Sequence, residues 1–394
     1  MTPVYIEDFG VLTAQAKGKA ELFAEILNAD RNALKPEIVC DSEYYTARCP
    51  ESAKTIVKEC SWTNSVLSYL TICCSEIKET VEKNVSLYGA NRIGVVLGTS
   101  GYGSDGVYNS EKYRIQNGVF PEGYELSFQQ VHKASDFIQD YFGLTGYSGC
   151  ITTACASGAH AVIEGVKLIQ SGLADVVIAG GADDISESVL KGFISLEAAD
   201  HKKTIPFSKN RRGINMGEGA SLLVLTRKKP DSNVISVAGY GETSDAHHIT
   251  APDPDGLGAA DAMRNALDMA GLKDVDYMNL HGTGTPLNDK MEGRASDSVF
   301  QTCPLCSSTK AVTGHTLGAS GAVELGICWL MLSEFNKENR LPPHRWDGEP
   351  DPEIPEMNFC DDSTKKEELN TAMSNSYAFG GWNVSVILKK DSDK

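Results

Sequence analysis

The sequence predicts an α/β protein, on two observations. Short β-rich runs alternate with stretches of helical periodicity along most of the 394 residues, and each run closes on Gly or on a polar cluster, as where strand ends carry a site. In chain order, the region from about 30 to 91 is irregular and Cys-rich, with one helix readable around Ser65 to Tyr88. Ile93-Gly94-Val95-Val96-Leu97-Gly98 is the first clear strand. Val162, Ile163, Val166 and Ile169 follow the i, i+3, i+4, i+7 spacing of a helix with one buried face. Strands are then expected at 175–181, 234–239 and 277–280, and a helix through Leu325, Ile327, Cys328 and Leu330. No Pro-rich or Gly/Ser-rich tract reads as a linker between independent domains.

Composition narrows the function. A hydrophobic content of 41% is ample for a packed core, and the length has room for two domain-sized units or one duplicated one. A formal charge of −17 disfavours nucleic acid and anionic lipid as partners. No run approaches the roughly 18 apolar residues of a membrane span. Eleven cysteines without regular spacing, and a start that lacks a basic region followed by an apolar one, point to the reducing cytosol and away from a disulfide framework. Cys303-Pro304-Leu305-Cys306 has metal-ligand spacing, but no second pair accompanies it, and His247-His248 is no stronger; no metal site is expected. The tail 389–394 reads as a frayed end.

Three turns carry the chemistry. Ile151-Thr152-Thr153-Ala154-Cys155-Ala156-Ser157-Gly158-Ala159-His160 places a cysteine where small residues give way to the periodic helix. Unpaired N–H groups at a helix start favour an anion, so Cys155 reads as a thiol of lowered pKa and a nucleophile, against the alternative of an inert buried cysteine. His281 ends an apolar strand and opens Gly282-Thr283-Gly284-Thr285-Pro286. His315 sits in Lys310-Ala311-Val312-Thr313-Gly314-His315-Thr316-Leu317-Gly318 ahead of a helix. Either histidine alone could be structural. Beside Cys155, in three strand-to-helix turns, they read as catalytic.

These segments, with Pro206-Phe207-Ser208-Lys209, Met216-Gly217-Glu218-Gly219 and Ser374-Asn375-Ser376-Tyr377-Ala378-Phe379-Gly380-Gly381, resemble in order the motifs of the β-ketoacyl-acyl-carrier-protein synthases, of the elongating Cys-His-His type. The resemblance spans roughly residues 90 to 390. It implies a thiolase-like fold, a duplicated five-layer α-β-α-β-α sandwich with two mixed sheets, the halves being 1–233 with the nucleophile and 234–394 with both histidines. It implies a decarboxylative Claisen condensation: Cys155 holds the acyl group, and neutral His281 and His315 stabilise the enolate left when a malonyl thioester loses CO2. It assigns an oxyanion hole to the backbone N–H groups of Cys155 and Phe379, and pairs Lys310 with an acid, Glu292. Asp289 becomes a structural acid below His281. Thr283, Thr285, Phe379 and Gly380 contact substrate, Phe379 as a gate. Substrates ride on the phosphopantetheine of an acyl carrier protein, without a further cofactor, and the enzyme pairs as a homodimer or with a related ketosynthase-like subunit.

Lys202, Lys203, Lys209, Arg211 and Arg212 form a basic cluster on an acidic chain, suited to docking an acidic carrier through charge steering. Two departures from the family pattern point to a specialised polyketide or aryl-polyene pathway. Trp382 follows Gly380-Gly381 where threonine is usual, next to the gate, and the first ninety residues match poorly. Two other readings compete: a non-catalytic chain-length factor, which characteristically lacks the nucleophile, and a priming synthase or thiolase acting on acyl-CoA, which uses a different residue set.

Overall fold

Ten strands fall into two groups of five with one shared topology. The computed structural model describes residues 2–59 and 62–391, so the expected fraying at 392–394 lies outside the described residues. From the seam outward, the first group runs Tyr5–Leu12, Gly219–Thr226, Val176–Asp183, Ile93–Gly98 and Ser148–Ile151; the second runs Ile235–Ser244, Trp382–Lys390, Thr371–Ala378, Tyr277–Asn279 and Cys306–Ser307. In each, the strand that comes first in the chain lies at the seam, followed by the fifth, fourth, second and third. The two inner pairings are antiparallel and the two outer ones parallel in both groups. The groups are thus two mixed sheets of a duplicated fold. They touch edge to edge where Tyr5 lies opposite Ser236 and Val237 N–H donates to Val4 O (2.8 Å).

Helices fill the other layers. Ser65–Tyr88 and Lys133–Phe142 cover the outer face of the first sheet, and Leu257–Ala270, with Pro286–Val299 beside it, covers the second. Between the sheets lie Ser157–Gln170 and Ser320–Leu332. Every residue of Ser320–Leu332 is buried, so it can be apolar all round. The strands Val176–Asp183 and Gly219–Thr226 are buried on both faces for the same reason, and read as continuous small and apolar runs. Local signals set the helix starts: Asn64 Oδ1 accepts from Leu67 N–H (3.0 Å), and Thr285 caps a helix whose first residue is Pro286.

The two central helices cross at glycines near their starts. A Cβ on Gly158 would lie 2.7 Å from Gly318 O, and one on Gly321 would lie 2.7 Å from the Cβ of Ala159. Only hydrogen at these two positions lets the turns that precede the helices approach one another, and those turns carry Cys155 and His315.

Candidate active site

Strand Ser148–Ile151 leads into Thr153 and then Ala154, which holds a left-handed φ of 47° that a residue with a Cβ adopts only under constraint. The constraint is Ser157: its hydroxyl accepts from Thr153 N–H (2.9 Å) and donates to Ala154 O (2.6 Å), closing a tight turn with Cys155 at its tip. The helix Ser157–Gln170 starts immediately after. The expected lowering of the thiol pKa is not what this site gives. Burial pushes Cys155 up to about 12, outweighing the nearby Lys310 charge that acts the other way.

His281 follows strand Tyr277–Asn279, and its backbone is held by Glu292, whose two carboxylate oxygens accept from the N–H of His281 and of Gly282, both at 2.7 Å. Asp289 holds the same loop lower down, accepting from Phe207 N–H (2.7 Å) and Gly284 N–H (3.2 Å). Gly284 must be glycine: its φ is 81°, and a Cβ would fall 2.1 Å from Thr204 Oγ1. His315 comes between a short helix, Lys310–Thr313, and a second tight turn, Leu317–Ala319, so the expected direct strand-to-helix turn contains an extra helical turn. Its backbone pairs with Asn215 O and Gly217 N–H, each at 2.8 Å. Its Nδ1 accepts from Leu317 N–H (3.2 Å), which leaves the proton of the neutral ring on Nε2.

The two imidazoles meet edge to face, centroids 5.4 Å apart at 88°. Burial, with Lys310 adding to it, holds both well below the ordinary 6.5, so both are neutral around pH 7. Lys310 is itself buried, but its ammonium pairs with Glu324, not with the expected Glu292. The reason is geometric: both Glu292 oxygens are taken by backbone N–H groups, while Glu324 lies one turn into the central helix and also receives the Ser320 hydroxyl (3.2 Å).

Cys155, His281, His315, Phe379, Thr283 and Thr285 line one cavity of about 350 Å³, together with Phe193, Leu196, Ile214 and Tyr377. Lys310 and Glu292 stand behind the histidines, and Gly380 is outside the lining; its N–H is bonded to Ile249 O (2.8 Å). Phe379 stacks on Phe193 with centroids 5.7 Å apart. Phe193 and Glu324 were not singled out by the sequence; an aromatic in an ordinary helix and an acid in an apolar one carry no motif. Trp382, next to the gate in sequence, is outside the cavity lining and partly exposed. It packs against His160 (5.6 Å), whose ring nears Glu242 while Lys167 bridges Glu164 and Glu242 at 2.6 and 2.7 Å.

Part of the basic cluster is structural. Arg211 is buried and spends its guanidinium on Ser208 O, Pro286 O and Asp351, and Lys209 pairs with Glu349 (2.6 Å), whereas Lys202 and Arg212 are exposed. Cys303 lies in a loop with its sulfur 3.9 Å from that of Met357, and Cys306 is buried on an edge strand; His247 and His248 are exposed.

The N-terminal domain of β-ketoacyl synthases matches residues 70–231 and their C-terminal domain residues 234–344. The chain belongs to the β-ketoacyl synthase family. It is 32% identical over 352 residues to a 3-oxoacyl-[acyl-carrier-protein] synthase 2 of Staphylococcus aureus, covering 84% of this chain and 83% of the relative. The solved complex of the ketosynthase ApeO with its chain length factor ApeC, from Xenorhabdus doucetiae, contains a chain that superposes with a TM-score of 0.89 at 32% identity, over 99% of this ketosynthase and 98% of that chain. A β-ketoacyl synthase from Burkholderia phymatum superposes at 0.85, with 26% identity and full coverage of both.

Proposed function

We propose that this protein catalyses decarboxylative Claisen condensation of an acyl group with a malonyl-acyl-carrier protein, giving 3-oxoacyl-carrier protein and CO2. The supporting observation is the convergence of Cys155, His281 and His315, from three distant segments, on one cavity. Cys155 attacks the acyl thioester delivered on a carrier's phosphopantetheine; the S–acyl bond moves to Cys155, and the thiol proton leaves with the departing pantetheine thiol. Malonyl carrier then enters, its carboxylate departs as CO2, and the electron pair of the broken bond becomes an enolate. Nε2–H of His315 and an N–H of His281 donate to the enolate oxygen. Neutral rings suit this task, and losing one such donor costs about 100- to 1000-fold in rate. The enolate carbon attacks the acyl-Cys155 carbonyl, whose oxyanion we assign to the backbone N–H groups of Cys155 and Phe379; its collapse breaks the C–S bond, frees the 3-oxoacyl carrier and leaves the Cys155 sulfur to take up a proton from water. Gly380 and Gly381, at φ of 87° and 79°, turn the chain just after Phe379.

Lys310, held by Glu324, and Glu292 serve as supports behind the imidazoles; Thr283 and Thr285 contact the pantetheine arm, and Phe379, backed by Phe193, gates the acyl pocket. We take 1–233 and 234–394 as the two halves. The partners we assign are an acyl carrier protein and a second subunit, identical or a related ketosynthase-like chain, in the cytoplasm, with no added cofactor. Relatives in complexes with chain length factors support a polyketide- or polyene-type pathway. They also raise the reading of a non-catalytic subunit, which an intact Cys155, His281 and His315 speak against.

The test is intact-protein mass spectrometry after incubation with acyl carrier protein. An acyl adduct that Cys155→Ala abolishes is expected, with His281→Ala and His315→Ala losing decarboxylation. Absence of any adduct on Cys155 would end the proposal.

A further inference from the structure

Asp183 ends the strand Val176–Asp183, is fully buried, and has no place in the chemistry above. Its carboxylate gathers five donors. Four come from its own half: Thr99 Oγ1 (2.6 Å), Ser100 N–H and Oγ (2.8 and 2.6 Å) and Gly101 N–H (2.9 Å). The fifth comes from the other half: Gly318 N–H, at 2.6 Å.

The duplication shows why that fifth bond is needed. Ala156-Ser157-Gly158-Ala159 and Ala319-Ser320-Gly321-Ala322 occupy equivalent places, each after a tight turn whose first residue is left-handed, Ala154 at 47° and Leu317 at 52°. In the first turn, the Ser157 hydroxyl closes the loop onto Thr153 N–H. In the second, the Ser320 hydroxyl is turned away to Glu324. Asp183 instead holds this second turn at its tip, through Gly318 N–H, the position that corresponds to Cys155 in the first. The adjoining amide, Leu317 N–H, is the one that fixes Nδ1 of His315. Gly318 must be glycine for this, since a Cβ there would lie 2.5 Å from Asp183 Oδ2.

We propose that Asp183 is a positioning residue for His315: by clamping the Leu317–Gly318 peptide from the opposite half, it holds the imidazole with Nε2–H aimed into the cavity. This rests on the condensing-enzyme reading for its catalytic consequence, while the effect on the ring does not. The turn that carries Cys155 is closed by its own Ser157, and Asp183 reaches the thiol only as a charge that raises its pKa, so removing that charge does not weaken loading.

Asp183→Asn swaps one acceptor oxygen for a donor facing other donors. Expected is a drop of about 10- to 100-fold in malonyl-carrier decarboxylation, the range that follows loss of an outer support of a metal-bound histidine taken over to this metal-free ring, with KM for malonyl carrier and acyl loading of Cys155 within about threefold of wild type. In ¹⁵N-histidine NMR, His315 should pass from a single Nε2–H tautomer to a mixture. Decarboxylation within twofold of wild type with an unchanged His315 signal would overturn the proposal, as would equal losses of loading and decarboxylation, the mark of general loosening. Should the variant not fold, Ser100→Ala, which removes a single donor, is expected to lower decarboxylation about two- to fivefold at unchanged loading; no change there would also overturn it. If wild type itself fails to decarboxylate malonyl carrier, the condensing reading falls, and the tautomer measurement alone decides the role of Asp183.

Discussion

A cysteine held near pKa 12 is almost wholly a thiol at pH 7, so Cys155 is protected from the oxidation that attacks exposed thiolates. Because the folded value is raised, its thiolate fraction grows tenfold with each pH unit until the pH approaches 12. Iodoacetamide labelling of Cys155, followed by peptide mass spectrometry, should therefore accelerate without levelling from pH 7 to 10. A plateau at or below pH 9 would mean that the helix start and Lys310 prevail over desolvation. Cys155, His281 and His315 were legible in the sequence as a set: each alone could be structural, but three turns of the same small-residue type, one with a thiol and two with imidazoles, read together as a site. The partner of Lys310 was not. Glu292 and Glu324 both lie on helices near the histidines, and which one faces the ammonium depends on helix rotation and on what the backbone has already claimed.

At the scale of elements, the crossing of the two central helices sets the distance between sulfur and imidazoles. Gly321→Ala would bring a methyl 2.7 Å from the Ala159 Cβ and 2.9 Å from the Ala159 backbone nitrogen, and neither atom can yield without moving the helix; Ser376 Oγ, at 2.8 Å, can rotate away. Overpacking of this kind costs about 1–3 kcal/mol, measurable as a lowered urea midpoint with the slope unchanged. An unaltered midpoint would show that the crossing has slack. The strand Ile93–Gly98 was readable because a β-rich run closes on glycine, and a helix was read around Ser65 to Tyr88 within an otherwise irregular stretch; the structure has both. Strand Thr371–Ala378 was not readable, because it is buried on both faces and Ser374, Asn375 and Ser376 put polar side chains into them, so neither an apolar run nor an alternation marks it; Asn375 Oδ1, for one, is satisfied by the Ser385 hydroxyl (2.8 Å). The duplication was faint for a related reason. Only the tetrapeptide Ala-Ser-Gly-Ala survives in both halves at the crossing, and four residues do not stand out among 394.

For the whole molecule, a charge of −17 would repel an acidic carrier, so docking needs local cations. Of the basic cluster read from the sequence, burial removes Arg211, Glu349 pairs with Lys209, and Lys203 is half-buried with its ammonium on Arg31 O (2.5 Å), leaving Lys202 and Arg212 presented to solvent. The double variant Lys202→Glu, Arg212→Glu should raise the KM for carrier protein several-fold and flatten its dependence on salt, with kcat little changed. An unchanged KM and salt profile would place docking elsewhere. The nucleophile belongs to one sheet and its helpers to the other, and the sheets share a single strand-to-strand pairing at Tyr5. Neither half holds the whole constellation. Any substitution that lets the seam slide by about an ångström registers directly at the reacting atoms, where such a misplacement can cost two orders of magnitude in rate, so the joint behaves as a remote part of the reactive centre.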